Sequence, residues 1–212
     1  VRAVSLPAPR AGGFTLVEAA VVVAIIGILA GVGIPSMSSW LVGRKAMAAT
    51  GYYADGFAFA RNQAISHNTL SRLVLDDHPA TGQLQWRVDL CYPTSDDLCD
   101  DASAGWSSPT AAAAGDPRGA QGDKSVVRSA NGLPSSSAVA LVVGPSGANA
   151  AYFTALGWVD TRISPQIARI TLSPTAGGAI SFTPMAVSLT LAGVAARCDP
   201  SAVAPDRRRC PR

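Results

Sequence analysis

The chain changes its hydrophobic rhythm twice. From Phe14 to Ile34 there are 21 residues, and the only charged one is Glu18. As a helix, this run would reach about 31 Å, enough for a bilayer core of roughly 30 Å. Val21, Val22, Val23, Ile25, Ile26, Ile28 and Leu29 make it apolar all round, which suits lipid. Glu18 is the anomaly, because a charge inside a spanning segment costs roughly 2.5–3.5 kcal/mol and usually has a partner. The plainer reading is that Glu18 snorkels at the interface. Pro35 removes a backbone donor and predicts a kink or local break.

Beyond Pro35 the helical spacing resumes. Trp40, Leu41, Met47 and Ala48, then Tyr53, Phe57, Ala60 and Ala64, predict an amphipathic continuation. One long helix over 15–66, kinked near Pro35, follows, with its apolar stripe packed on a sheet. After Asn68 the period shortens. Runs at 70–75, 84–92, 139–143, 151–159, 167–172, 179–182 and 187–191 read as strands separated by Gly- and Pro-containing turns. The alternation from Leu84 to Leu90 predicts one buried and one wet face. A helix followed only by strands predicts an α+β fold, with an antiparallel sheet against the helix. Residues 93–137 are poor in large apolar side chains and read as an exposed insertion, with one short strand at 124–129.

Length fits one domain with extensions, and a net charge of +3 does not by itself imply nucleic acid. Four cysteines fall in two close pairs, Cys91/Cys99 and Cys198/Cys210, without zinc spacing. Two local disulfides are the better reading, with other connectivities open, and they imply an oxidising compartment such as the periplasm. Asp96, Asp97, Asp100 and Asp101 could offer oxygen ligands to calcium but lack a glycine-centred loop, so a solvated acidic turn is favoured. No metal or other cofactor is expected. His67 reads as a surface or capping residue. There is no phosphate-binding glycine loop, nucleophile elbow or metal cluster, so no enzyme is expected. The tail over 197–212 carries Arg197, Arg207, Arg208, Arg209 and Arg212 against Asp199 and Asp206. Tied by a local disulfide, it could present a positive patch to phosphate oxygens, although a solvated tail is the plainer reading.

Gly13-Phe14-Thr15-Leu16-Val17-Glu18 followed by the apolar run resembles the processing site of type IV prepilins and type II secretion pseudopilins. The resemblance implies a leader at 1–13, basic through Arg2 and Arg10, that a prepilin peptidase removes by cutting between Gly13 and Phe14. Phe14 is then methylated, and Glu18 meets the Phe14 amine of a neighbouring subunit. It further implies a pilin-like fold, with a transmembrane and filament-core helix over 14–35 and a periplasmic domain over 36–212. Anchoring would be single-pass in the bacterial inner membrane. The partners implied are other pilins or pseudopilins and an inner-membrane assembly platform.

Phe57-Ala58-Phe59-Ala60-Arg61-Asn62-Gln63-Ala64-Ile65-Ser66-His67-Asn68 resembles the helix end of the GspH/FimT group, and Tyr152 to Trp158 resembles its aromatic-then-glycine strand. That implies a minor pilin or pseudopilin of a type IV pilus or a type II secretion pseudopilus. The alternative is a DNA-binding minor pilin for DNA uptake. There the group's Gly-Arg-x-Arg element would fall at Gly193-Val194-Ala195-Ala196-Arg197, where the first arginine is missing.

Overall fold

The computed structural model describes residues 13–177 and 180–211, apart from the side chains of Val32, Pro35 and Ser36. The chain divides into two compact units, 1–38 and 39–212. Helix α1, Leu16–His67, begins in the first and ends in the second. Its bounds agree with the helix expected from the spacing to within a residue. At its start Thr15 Oγ1 accepts the Glu18 N–H at 3.2 Å, satisfying one of the free donors of the first turn. At its end Asn68 takes a left-handed φ of 49°, and the Thr69 N–H returns to the Ala64 carbonyl at 3.1 Å. This closing motif satisfies the last free carbonyls with a residue type that tolerates the turn.

In the second unit α1 buries Ala46, Ala49, Thr50, Tyr53, Phe57, Ala60 and Ala64. Steps of three and four keep these on one face. The face differs from the expected one in its first turns. Met47, Ala48, Trp40 and Leu41 are exposed, because extending the Tyr53–Ala64 stripe backwards lands on Thr50, Ala49 and Ala46.

Eight strands form two antiparallel sheets. The first contains β1 (Leu70–Asp77), β2 (Leu84–Cys91), β3 (Val126–Arg128) and β5 (Ala150–Phe153), in the order β3-β2-β1-β5. The second contains β4 (Val139–Gly144), β6 (Arg169–Pro174), β7 (Met185–Leu189) and β8 (Ala195–Cys198), in that order. One apolar cluster joins the helix face to Leu73, Leu75, Trp86 and Val88 of the first sheet and to Val139, Ile170, Leu172 and Val187 of the second. The helix is pinned by polar contacts as well as by packing. Tyr53 donates to the Leu84 carbonyl at 2.8 Å, and the Trp86 indole donates to the Tyr52 carbonyl at 3.0 Å.

The expected wet face of the first sheet is only partly wet: β3 is exposed and Gln85 and Arg87 are half-buried, while much of the rest is covered. Leu70, Val74, Cys91 and Tyr152 pack with Trp106 and Cys99 from the 93–137 segment, which covers the side away from the helix. That segment also buries Ala113, Asp116 and Ala130, and it contributes a short 3-10 turn, Gly119–Gln121. The short strand expected at 124–129 is β3, and most residues of the segment are nonetheless exposed, as the composition predicted. Beneath it Asp89 is only 1% exposed and accepts from Arg72 Nε at 2.9 Å and Arg87 Nε at 2.8 Å. The alternating polar positions of β2 thus carry an ionic layer, buried at Asp89 and part-exposed at Arg87.

Two strand expectations change. The run at 151–159 stops at Phe153, where a turn returns the chain to pair Phe153 with Val159. No strand forms over 180–182, and residues 178 and 179 lie outside the described set. β8 was not expected, since Ala195-Ala196-Arg197 has little strand propensity. Pairing with β7 through a short turn over 190–194 supplies what propensity does not.

Candidate functional site

Two regions carry the expected functional residues. The first is the start of α1. The leader expected at 1–13 lies outside the described residues except for Gly13, which is outside the helix with open space where a side chain would sit. Phe14 is 80% exposed, and Glu18 is exposed in the first turn. Thr15 and Glu18 stand at the spacing of a capping box, and an acid here also faces the positive end of the helix dipole. The helix start therefore leaves the Glu18 carboxylate exposed, four residues after Phe14, and open to an outside cation.

Behind it, Leu16, Val17, Val21, Val22, Val23, Ile25, Ile26, Ile28 and Leu29 are all exposed. An apolar surface this continuous requires a lipid or protein environment. Among the described residues no helix is long and apolar enough to cross a membrane.

The second region is the C-terminal tail. Cys198 and Cys210 are bonded to each other, as are Cys91 and Cys99, and no free cysteine remains among the described residues. A parallel bridge between Asp199 and Arg209 lies inside the tail loop. Arg208 Nη2 meets Asp206 Oδ2 at 2.8 Å, and Arg208 Nε meets Oδ1 at 3.2 Å. These bonds hold the Asp206 carboxyl below the usual carboxylate range and raise the guanidinium pKa. Arg208 is thus largely committed within the loop. Arg197 and Arg207 are exposed, with no side-chain hydrogen bond or ion pair among the described residues. Arg209 is exposed too, and Arg212 lies outside the described residues.

The tail does not stand free. With Met47 and Thr50 of α1 and with Thr183, Pro184 and Met185 it forms a cleft of about 510 Å³, lined also by Arg197, Cys198, Asp199, Arg207 and Arg208. Arg197 lies against the helix, its Nη2 2.8 Å from where a Cβ on Gly51 would be. Sequence spacing placed these arginines together but not against the helix, since the contact depends on β8.

The acidic turn closes on itself. Asp97 accepts the Cys99 N–H at 2.8 Å and the Gly105 N–H at 3.0 Å, and Asp100 accepts the Ala102 N–H at 2.9 Å. Tyr152 donates to Asp101. Among the described residues the one group with metal-ligand proximity is Cys91, Asp97 and Cys99, and its sulfurs are consumed by the disulfide. His67 Nδ1 lies 3.2 Å from Asp123 Oδ2 at the helix end, an ordinary surface contact.

Residues 9–34 match the family model described as the prokaryotic N-terminal methylation motif. No curated protein and no solved structure matches the chain. The motif, with the long helix and antiparallel sheets, supports a type IV pilin-like protein, processed by a prepilin peptidase and assembled with other pilins. It also points to a membrane anchor.

Proposed function

We propose that the chain is a minor pilin or pseudopilin of the GspH/FimT kind, which enters or initiates a type IV pilus or a type II secretion pseudopilus. It is a structural subunit and not an enzyme. The observation that carries this is the helix start. Gly13 ends the proposed leader outside the helix, Thr15 caps the first turn, and Glu18 stands exposed four residues after Phe14, ahead of an exposed apolar surface. Cutting after Gly13 frees an amine on Phe14. In a filament that amine neutralises Glu18 of a neighbour, and the apolar surface leaves lipid for the faces of other helices. Before assembly the run over 14–34 anchors the chain in the inner membrane by a single pass, and the disulfide-bonded part is periplasmic. An inner-membrane platform handles assembly.

The test is the intact mass of protein recovered from its native host. The expected product begins at methylated Phe14; a chain that keeps its leader, or one cut after Ile34, overturns the reading. Gene neighbours, pilus or secretion machinery, separate the two filament types.

DNA uptake is the second reading, favoured by the exposed, unpaired Arg197 and Arg207. Asp206 weakens it by occupying Arg208.

A further inference from the structure

The cleft beside α1 has a chemistry that phosphate alone does not use. Met47, Pro184 and Met185 give it an apolar lining, and Arg197 and Arg207 bring two uncommitted guanidinium groups to it. A phosphodiester backbone offers such a lining only its sugar carbons, and Asp199 and Asp206 thin the positive field that a duplex would follow. The fitting occupant is an apolar side chain flanked by carboxylates.

The chain itself carries such a group. Leu98 is 63% exposed in the turn closed by Cys91–Cys99, between Asp96 and Asp97 on one side and Asp100 and Asp101 on the other. No basic residue lies between Tyr92 and Trp106. Leu98 is an uncommon choice for the tip of an acidic, solvated turn, and no described contact explains its exposure.

Knob and cleft lie apart along the helix. Cys91 is held to the helix end, since Thr69 Oγ1 donates to its carbonyl at 2.6 Å and Leu70 pairs with it across the ladder. The cleft takes its helical residues from Met47 and Thr50. The seventeen residues between Thr50 and His67 separate the two levels by about 26 Å along the axis. A knob that fits a different surface of the same molecule makes a heterologous contact, which extends by translation instead of closing on a two-fold axis.

We propose that the Leu98 knob of one copy docks in the Arg197–Arg207 cleft of the next, a head-to-tail contact between folded domains. It deepens the assembly reading without resting on it, because neither Phe14 nor Glu18 takes part. Leu98 fills the apolar lining, and the carboxylates of Asp96 and Asp100 meet the two guanidinium groups. Complementary charge fixes the register, and the apolar tip supplies the burial.

The test uses full-length chain in detergent micelles, as two differently tagged forms, Ala102→Cys beside the knob and Thr183→Cys at the cleft, joined by a short thiol-reactive linker. The native cysteines are bonded and do not react. The expected product is a mixed dimer carrying both tags, reduced severalfold at about 0.5 M salt, where charges are screened within a few ångströms. Arg197→Glu with Arg207→Glu lowers its yield about tenfold, the loss expected for reversed close charge pairs. Asp96→Lys with Asp100→Lys in the Ala102→Cys form then restores it. All variants keep the wild-type circular dichroism spectrum, since each altered residue is exposed and the turn bonds lost with Asp100 are surface bonds in a loop tied by Cys91–Cys99. Absence of the mixed dimer, or a yield indifferent to charge reversal, overturns the proposal. So does a mixed dimer lost to charge reversal and not restored by the swap. Retention of duplex DNA that requires the two arginines, with no mixed dimer, transfers the cleft to nucleic acid. Adding Glu18→Gln leaves the mixed dimer unchanged, so failure of this contact and failure of the Phe14–Glu18 contact are read separately.

Discussion

Arg72 lies over the ring of Trp106, its guanidinium carbon 4.4 Å from the ring centroid, while its Nε donates to Asp89 at 2.9 Å. One side chain therefore ties the 93–137 segment to the ionic layer of the first sheet. Asp89 also holds Arg87, which reaches Asp76 at 3.0 Å. Removing the buried carboxylate would leave two part-buried cations facing each other. Asp89→Ala is expected to cost about 3–5 kcal/mol, the usual penalty for orphaning a buried charge. Trp106→Ala should cost a similar amount, about 3–5 kcal/mol, through lost burial. Urea denaturation of the two single variants and the double variant checks this. The double variant should lose less than the sum, because both act through Arg72.

A second prediction concerns a close backbone approach. Gly193 has φ 74°, and a Cβ placed on it would meet the Gly157 carbonyl oxygen at 2.0 Å. Gly157 itself has φ 76°, and Arg61 Nε donates to the same carbonyl at 3.1 Å. The turn before β8 thus reaches the turn after β5 only because Gly193 lacks a side chain. Gly147 has φ 84° with nothing within 4 Å of its missing Cβ. Gly147→Ala should cost on the order of 1–2 kcal/mol, the left-handed penalty alone. Gly193→Ala should cost clearly more, and should also shift the amide signals of Arg61 and Gly157. Equal costs at the two positions would show that the turns separate without strain.

The uneven legibility of the chain has physical causes. The Tyr53, Phe57, Ala60, Ala64 stripe was readable because a core-facing helix repeats its contact every three or four residues. The strands at 70–75, 84–92 and 139–143 were readable because short runs rich in apolar residues sit between turn signals. Trp106 and its partner Arg72 are distant in sequence, and no period links them. The polar alternation in β2 looked solvated because Asp89 and Arg87 read the same whether water or another loop covers them. β8 escaped because its pairing comes from β7, not from its own residues. Among functional residues, the helix-start motif was local and therefore legible. The cleft was not, since it joins Met47, Met185 and Arg197 from separate elements.

Glu18 tests the assembly reading against a local one. Thr15 Oγ1 already accepts the Glu18 N–H, so Glu18 could matter only as part of a helix cap. Thr15→Ala removes that cap at a cost of about 1 kcal/mol in local helix stability. Glu18→Gln keeps capping chemistry, since glutamine also suits this position, but it removes the charge. Filament incorporation in the native host, measured by shearing and immunoblot, should fall severely for Glu18→Gln and only slightly for Thr15→Ala. Membrane insertion should be unchanged in both. Equal, mild effects would return Glu18 to the role of a cap or an interfacial snorkelling group.

The arginine tail gives the remaining prediction. Four tail arginines, Arg197, Arg207, Arg208 and Arg209, are described, and Asp206 occupies one of them through two hydrogen bonds. If the tail contacts duplex DNA, affinity should fall with salt by a logarithmic slope of roughly 0.9 for each phosphate neutralised. Contacts from Arg197, Arg207 and Arg209 give a slope near −3 on the same basis, roughly −2.7. Asp206→Ala frees Arg208 and should steepen that slope by about one unit. Binding should vary little with base sequence, since the tail over 197–211 has no aromatic residue for stacking. Fluorescence anisotropy with a labelled random-sequence duplex, titrated at several salt concentrations, reads all three expectations. A slope unmoved by Asp206→Ala, with measurable binding, places the contact elsewhere on the surface. No binding at low salt removes DNA from the tail's role and leaves Arg197 and Arg207 to the protein contact.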